Sequence, residues 1–309
     1  MKHTLQADEG SLRSSDSIVP QGWVHIVNPT DDELSQLNAV GIPSDLLSHV
    51  LDPNERSRVL RRGDVIHIVV HFPFRQEEPT KIPYVTLPVT IFLLPQFLVM
   101  IETVQMGLAE KLTETPPTSI GPNYATRFVM NLLLLAASEY LGCLQTINAA
   151  VEEVEDRLQR SLRNREVLQL LNYQKSLVYF TKALNSIETM LEKLLKGNFL
   201  EWSPEHQQLG EDGLIEIRQA MYEVDIAENI LTQMMDAFAS IVSNNLNTVM
   251  KFLAAITIII SLPMLIASLY GMNVPLPGES QTGAFGYVIA ISLILAIMVI
   301  AIFRRMDWL

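Results

Sequence analysis

The chain has 309 residues, of which 49% are hydrophobic and only 18% are charged, and its 34 Asp and Glu against 22 Lys and Arg give a net charge of −12. This acidic balance argues against nucleic-acid binding, because phosphates require a basic surface. The mean hydropathy of +0.23 is high for a soluble protein and indicates a membrane segment, while the single cysteine excludes a disulfide framework and a cysteine-rich metal site.

The first 120 residues predict a mobile segment followed by a mixed α/β domain. Residues 1–19 are polar and rich in serine, which is typical of a mobile terminus. The domain over 20–120 contains several stretches that are apolar, β-branched or alternating, as strands require. These stretches are 23–27, 64–72, 84–94 and 97–102, and the last two suggest a hairpin.

Two short helices are expected within this domain. Thr30 and Glu33 have the spacing of a capping box, which predicts a helix that begins after Thr30 and runs to about Val40. Residues 43–51 predict a second short helix that begins near Ser44.

Residues 121–250 predict a long helical stalk region. Apolar residues recur at three- and four-residue spacing over 123–163 and 165–196, and a third helix is expected from about 213. Because this third helix contains no proline or glycine until Pro263, one helix should continue to about residue 270, roughly 85 Å at 1.5 Å per residue. A helix of that length needs lateral partners, which predicts an oligomer.

Two apolar runs predict a membrane domain over 251–309. Residues 252–270 and 284–303 contain no charged side chain, and each run has about the 20 residues that a helix needs to cross roughly 30 Å of hydrocarbon. The fold class is therefore an α+β membrane protein, with an N-terminal α/β domain and a stalk helix continuous with the first of two transmembrane helices.

The flanking charges predict the topology. Lys251 precedes the first run, Arg304 and Arg305 follow the second, and the connector 271–283 has no basic residue, so both termini and the α/β domain should be cytoplasmic. The three basic and two acidic groups of residues 251–309 give +1, which leaves −13 for residues 1–250. The acidity thus belongs to the predicted cytoplasmic part.

A row of small and polar side chains follows the long helix across the membrane boundary, because steps of three and four residues remain on one slowly drifting face. The row contains Asp236, Ser240, Ser243, Asn247, Met250, Ala254, Thr257, Ser261, Met264 and Ser268. Ordinary amphipathicity with helix–helix hydrogen bonds would also produce such a row. Its continuity favours an axial channel, in which rings of Asp236 carboxylates and Asn247 amides suit hard, hydrated cations.

The motif Tyr270-Gly271-Met272-Asn273 closes the first apolar run. At the outer end of the first of two C-terminal spans, this motif resembles the signature of the CorA magnesium transporter family. Residues 243–251 are similar to that family's approach to the membrane helix, and the tail 303–309 is similar to its basic, Trp-Leu-terminated end. The resemblance covers most of the chain and is most specific over about 236–309.

This resemblance implies a homopentamer in the lipid bilayer of a bacterial inner membrane, which moves Mg²⁺, and possibly Co²⁺ or Ni²⁺, down the electrochemical gradient. Asn273 would ring the outer mouth, and Tyr270, Gly271 and Met272 would shape the loop that holds it. The family's pore positions correspond to Asn247, Met250, Leu253, Thr257, Ser261, Met264 and Asn273. Since Mg²⁺ gives up its waters reluctantly, amide oxygens can bind the hydrated ion.

Two departures from the family pattern concern the pore and its regulation. The proline of the family's pore helix lies one place earlier than Pro263 relative to the motif, which leaves the register near 262–264 open. The family's regulatory acidic pair corresponds to Ser48 and His49, and the partner carboxylate to Asp212. Regulatory Mg²⁺ binding is therefore expected to be weak or built from other carboxylates.

The remaining alternatives are weaker. No nucleotide-binding motif and no nucleophile motif is present, so neither an enzyme nor an ATP-driven pump is expected. His67 and His71 lie about 13 Å apart along a predicted strand, too far for one zinc ion. A zinc transporter of the same fold is disfavoured by Met272, where that branch has isoleucine. A membrane-anchored sensor or scaffold is disfavoured by the polar row, which an anchor does not need.

Overall fold

The computed structural model describes residues 2–8, 11–15, 22–76, 82–95, 97–112, 122–160, 164–273 and 283–308. The chain forms two compact units, Met1–Gln233 and Met234–Leu309. The strands are β1 (Lys2–Asp8), β2 (Ser11–Ser15), β3 (Gly22–Val27), β4 (Arg58–Arg62), β5 (Val65–Arg75), β6 (Tyr84–Leu93) and β7 (Leu98–Glu102). The helices are α1 (Asp31–Ala39), α2 (Ser44–Leu47), α3 (Leu108–Leu112), α4 (Pro122–Arg160), α5 (Asn164–Lys196), α6 (Pro204–Tyr270) and α7 (Ala284–Arg305).

A seven-stranded sheet organises the N-terminal unit, in the order β2-β1-β3-β7-β6-β5-β4. The strands pair antiparallel except for β3 and β7, which run parallel. The predicted β6–β7 hairpin is confirmed, with Leu93 opposite Leu98. The β-branched runs predicted as strands become the central β5 and β6, as expected for buried strands.

The edges of the sheet differ from the sequence-based expectation. Residues 1–19, predicted to be mobile, contain strands β1 and β2, and β1 pairs with β3. Strand β4 was not predicted, because its sequence RVLRR is rich in charge. Both edges use polar strands, which hide the periodicity of a buried strand and also protect a sheet from edge-to-edge association.

Helices α1 and α2 cover one face of the sheet. The predicted capping box of α1 is confirmed: the Glu33 amide donates to the Thr30 hydroxyl, and the Thr30 amide donates to the Glu33 carboxylate at 2.8 Å. Leu37, Ile42 and Leu46 are buried in one cluster with apolar side chains of β3, β6 and β7.

Helix α4 packs on the sheet and on α5 through aromatic side chains. Trp23 of β3 meets Phe128 edge-on, with ring centroids 5.2 Å apart. Tyr140 is fully buried, donates from its hydroxyl to the His71 carbonyl at 3.1 Å, and contacts Phe180 of α5 edge-on. These contacts fix α4 and α5 against strands β3 and β5.

Helix α6 begins at Pro204, nine residues before the predicted start near 213. Proline is favoured at the first helical position, and the Ser203 hydroxyl accepts from the His206 amide at 3.2 Å. The later start was predicted because the stretch that contains Pro204 was assigned to a loop. Gly210, a residue of low helix propensity, lies inside the helix. Here a Cβ atom at Gly210 would lie 2.6 Å from the Leu195 side chain, so glycine permits the close approach of α5.

Three helices in the described part of the chain are long and apolar enough to span a membrane: the segment Tyr124–Leu158 of α4, then α6 and α7. The apolar window of α4 is half buried inside the protein, whereas those of α6 and α7 are 6% and 0% buried. Half of the apolar window of α4 is therefore covered by other parts of the protein, among them the sheet and α5. Helices α6 and α7 retain apolar surface that suits hydrocarbon, and α6 continues without interruption through Pro263.

Candidate ion-conduction site

Hydroxyl groups of the predicted polar row donate to the backbone of their own helix. Thr257 donates to the Leu253 carbonyl at 2.8 Å, and Ser261 donates to the Ile258 carbonyl at 3.0 Å. Because each hydroxyl hydrogen is already used, only the lone pairs of the oxygen remain available. Such oxygens can accept hydrogen bonds from the waters around a cation.

Apolar residues in the row, and Leu253 beside it, are exposed within the single chain. Met250 is 60%, Leu253 is 53% and Met264 is 65% exposed. Met250 and Leu253 lie three residues apart, so they are neighbours on the helix surface. An exposed apolar band at this position has the chemistry of a constriction that excludes water when copies of it face one another.

Asp236 lies in α6, at the end of the row that precedes the apolar run. It is exposed, and it makes no ion pair with the residues that the structure describes. Asn247 follows 11 residues later, about 16 Å along the helix axis. A carboxylate without a cationic partner is open to interaction with a cation.

The end of α6 places Asn273 directly after a helix C-terminus. Gly271 donates from its amide to the Ala267 carbonyl at 3.0 Å, and Met272 donates to the Leu269 carbonyl at 3.3 Å. The last carbonyl groups of a helix carry partial negative charge, which favours a cation beside them. Tyr270 and Met272 are exposed here, and residues 274–282 lie outside the described part of the chain.

The sequence model described as "CorA-like Mg2+ transporter protein" matches residues 22–305. The chain belongs to the CorA family. Members of this family are ion transporters, so the chain is a membrane transporter of the CorA type, and Mg²⁺ is the substrate of the family. The resemblance seen in the sequence is confirmed.

Curated CorA relatives cover much of the chain. The cobalt/magnesium transport protein CorA of Methanocaldococcus jannaschii is 29% identical over 295 residues, which are 93% of this chain and 91% of that protein. The cobalt/magnesium transport protein CorA of Thermotoga maritima is 23% identical over 186 residues, which are 60% of this chain and 53% of that protein.

Solved structures share the CorA fold. The complete CorA magnesium transporter of M. jannaschii superposes with a TM-score of 0.85 at 24% identity and covers 100% of this chain and 99% of that one. The full-length CmaX protein gives a TM-score of 0.73 at 16% identity, covering 99% of this chain and 97% of that one. The ZntB cytoplasmic domain of Vibrio parahaemolyticus gives 0.63 at 11% identity, covering 79% and 98%. These likenesses show the α/β domain and long helices of the fold.

Around His49 the structure brings together three ligand-type side chains that the sequence analysis did not combine. Potential ligand atoms of His49, Asp52 and Glu55 all lie within 4.8 Å of one another. The turn after α2 makes this possible, because the Asn54 amide donates to the Asp52 carboxylate at 2.9 Å and folds the chain back. The regular spacing of three residues was the signal in the sequence.

Asp212, predicted as a regulatory carboxylate, does not belong to this cluster in the single chain. It lies on the first turns of α6, beside a cavity of about 230 Å³ that is also lined by Arg127, Glu205 and His206. Both the cluster and Asp212 offer oxygen ligands, which suit Mg²⁺, and His49 would add an imidazole that suits Co²⁺ or Ni²⁺.

Proposed function

We propose that the chain assembles as a homopentamer that conducts hydrated Mg²⁺, with Co²⁺ and Ni²⁺ as further ions, through a pore lined by the polar row of α6. The observation that carries this proposal is that hydroxyls of the row are exposed while their hydrogens are bound to backbone carbonyls of α6. Thr257 and Ser261 expose oxygen acceptors where a transmembrane helix would otherwise be apolar. A pore of acceptors can bind the waters of Mg²⁺ without removing them.

Each part of the row has a role in this pore. Asn273 rings the outer mouth, next to the negative end of the α6 dipole, with Tyr270, Gly271 and Met272 holding the loop. Met250 and Leu253 form the apolar constriction, and it closes the pore by excluding water. Rings of Asp236 and Asn247 raise the local concentration of cations at the cytoplasmic end. The remaining lining positions are Thr257, Ser261, Met264 and Ser268.

The membrane potential supplies the direction of flux. With both termini and the acidic N-terminal unit in the cytoplasm, a potential of about −100 mV contributes roughly 4.6 kcal/mol to inward movement of a divalent cation. Basic residues at the cytoplasmic ends of both spans, Lys251, Arg304 and Arg305, support this orientation in a bacterial inner membrane.

Ion flux into liposomes tests the proposal. The purified protein should admit Mg²⁺, Co²⁺ and Ni²⁺, and Asn273→Ala should reduce the uptake. Flux of none of these ions through well-folded protein would refute transport, and faster uptake of Zn²⁺ than of Mg²⁺ would favour the zinc alternative. Cross-linking of the reconstituted protein tests the pentamer independently.

Two threonines of α6 provide a matched pair for the pore lining. Both hydroxyls donate to the carbonyl four residues earlier, but Thr257 lies on the polar row and Thr248 does not. Thr257→Val should reduce Mg²⁺ flux about tenfold, the effect of one lost acceptor ring. Thr248→Val should leave the flux unchanged. Equal effects of both variants would contradict the proposal that the polar row lines the pore.

The regulatory role of Asp212 is tested by internal Mg²⁺. If Asp212 binds Mg²⁺ that closes the pore, Asp212→Asn should raise the internal Mg²⁺ concentration required for half-maximal closure. Glu211→Gln changes the same charge one residue away and serves as the control. An unchanged closing concentration in Asp212→Asn would assign any closure to other carboxylates.

A further inference from the structure

A cavity of about 500 Å³ in the N-terminal unit has no role in the conduction path described above. It lies between the loop before β4, strands β5 and β6, and the middle of α5. This volume falls within the range of roughly 300–1,000 Å³ that is usual for small-molecule sites.

The cavity carries uncompensated positive charge. Arg56 and Lys182 line it, and neither makes an ion pair with the residues that the structure describes. Glu55 is the acidic residue of the lining, but its carboxylate lies 3.0 Å from Nε of Arg58, which offsets its charge. The Nε–H of Arg58 is not aligned for a hydrogen bond, so this contact is a Coulombic pair. Two cations in a partly enclosed site favour an anionic ligand.

His71 supplies a neutral hydrogen-bond donor beside these cations. Its backbone amide donates to the Ser57 hydroxyl oxygen at 3.2 Å, and that oxygen lies 2.9 Å from Nδ1 of the ring. Because the oxygen already accepts from the amide, we assign its own hydrogen to Nδ1. Burial, and then the charge of Lys182, lower the pKa of His71 to about 4, so the ring is neutral at pH 7. With Nδ1 as the acceptor, the proton lies on Nε2, which has no hydrogen-bond partner among the described residues.

The α5 wall of the same cavity offers acceptors and an aromatic ring. Ser186 donates from its hydroxyl to the Ala183 carbonyl at 2.8 Å, and Thr189 donates to the Asn185 carbonyl at 2.9 Å. Their oxygens can therefore accept hydrogen bonds from the hydroxyls of a ligand. Tyr179 also lines the cavity and is 40% exposed, which leaves part of its ring free to contact a ligand.

We propose that this cavity binds a phosphorylated sugar, whose phosphate contacts Arg56, Lys182 and His71 and whose hydroxyls contact Ser186 and Thr189. Guanidinium and ammonium groups form strong charge-assisted hydrogen bonds with phosphate oxygens. Ser186 and Thr189 follow Lys182 by four and seven residues, so the three side chains share one face of α5. A ligand whose anionic end contacts Lys182 can therefore place hydroxyls beside Ser186 and Thr189, which inorganic phosphate alone cannot do.

Calorimetric titration of the full-length protein in lipid nanodiscs tests this site. The ligands are ribose 5-phosphate, AMP, inorganic phosphate and ribose, each at the same Mg²⁺ concentration. Ribose 5-phosphate or AMP should bind at least tenfold more tightly than inorganic phosphate, and ribose should not bind. If AMP binds more tightly than ribose 5-phosphate, and Tyr179→Leu abolishes this difference, the ligand is a nucleotide. Equal binding of AMP and ribose 5-phosphate would identify the ligand as a simple sugar phosphate.

The charge contact has a matched control on the same helix. Lys182→Gln should weaken binding about tenfold to a hundredfold, the range for loss of one charge-assisted hydrogen bond. Lys175→Gln, two turns earlier on α5 and outside the cavity, should leave it unchanged. If Lys182→Gln does not fold, Arg56→Gln gives the same comparison.

Hydrogen exchange provides a second measurement, since a bound ligand should protect the segment 179–189 in the wild-type protein. The absence of binding by any phosphate up to millimolar concentration would overturn the proposal, as would equal binding by the Lys182→Gln and Lys175→Gln variants. Ion flux does not enter this test, so its outcome is independent of the proposed pore.

Discussion

Acid should destabilise the N-terminal unit through His67, a buried histidine without hydrogen-bond partners. His67 is 1% exposed, its ring stacks on Phe92 with centroids 4.8 Å apart, and neither ring nitrogen has a partner among the described residues. Burial, followed by the nearby charge of Arg58, lowers its pKa from 6.5 to about 4. The perturbation proposed is His67→Phe, which keeps a ring against Phe92 but cannot be protonated.

The magnitude follows from the two pKa values. Above pH 6.5 the histidine is neutral in both states and makes no pH-dependent contribution. As the pH falls below 6.5, His67 becomes protonated in the unfolded chain, whereas in the folded chain it stays neutral until about pH 4. Protonation therefore favours the unfolded state, and the free energy of unfolding falls between pH 6.5 and pH 4. At pH 5 the loss is about 2 kcal/mol, and near pH 4 it approaches about 3 kcal/mol. His71, whose pKa is also lowered to about 4, should contribute a similar amount.

Urea unfolding of the full-length protein in detergent measures this loss. In a Trp308→Phe background, tryptophan emission comes from Trp23 and Trp202, which both lie in the N-terminal unit. Between pH 7.5 and pH 5 the free energy of unfolding should fall by about 4 kcal/mol in the parent and about 2 kcal/mol in His67→Phe. The same loss in both proteins would refute the assignment of acid sensitivity to His67.

Three further substitutions test the packing of the N-terminal unit by the same unfolding assay. Gly213→Ala should raise the free energy of unfolding by about 0.5–1 kcal/mol, because alanine is the better helix former and a Cβ there comes no closer than 3.8 Å to a neighbour. Gly210→Ala should be about 1–3 kcal/mol less stable than Gly213→Ala, because its Cβ would lie 2.6 Å from the Leu195 side chain. Equal stabilities of the two variants would show that α5 and α6 can move apart at little cost. Glu102→Leu should lower the free energy of unfolding by about 2–5 kcal/mol, because Glu102 is fully buried and both of its oxygens have partners. One oxygen accepts from the Met106 amide at 2.8 Å, and the other lies 3.0 Å from His25 Nε2. A loss below about 1 kcal/mol would contradict this prediction.

Local sequence patterns predicted the elements that bury one continuous apolar surface. The β-branched runs of β5 and β6, and the capping box of α1, are determined by residues within a few positions of one another, so they could be identified directly. Strands β1 and β2 could not, because their sequences are largely polar and they are held by backbone pairing, β2 with β1 and β1 with β3. The start of α6 was missed because Pro204 was assigned to a loop, whereas it is the first residue of the helix, a position where proline is favoured.

The two candidate sites show the same distinction between local sequence patterns and contacts that only the folded chain makes. The polar row is a property of one helix, and its spacing was visible in the sequence; the structure added the hydrogen bonds that turn Thr257 and Ser261 into acceptors. The cavity at His71 combines three parts of the chain that are far apart in sequence. No periodicity connects Ser57 with His71 and Lys182, so only the folded chain reveals their common environment.

Helix α4 shows why hydropathy alone cannot assign the membrane domain. Its segment Tyr124–Leu158 is as long as a span, with a mean hydropathy of 1.4 in its most apolar window, yet half of that window is buried against other parts of the protein. The corresponding window of α7 reaches 2.8 and has no buried part. Apolar surface that the protein does not cover must be covered by lipid or by other subunits. For α6 the uncovered surface includes both apolar residues and the polar row. Lipid chains cannot donate hydrogen bonds to the oxygen acceptors of this row. In the proposed pentamer the row faces water and polar groups of the other subunits, which is the environment of a pore.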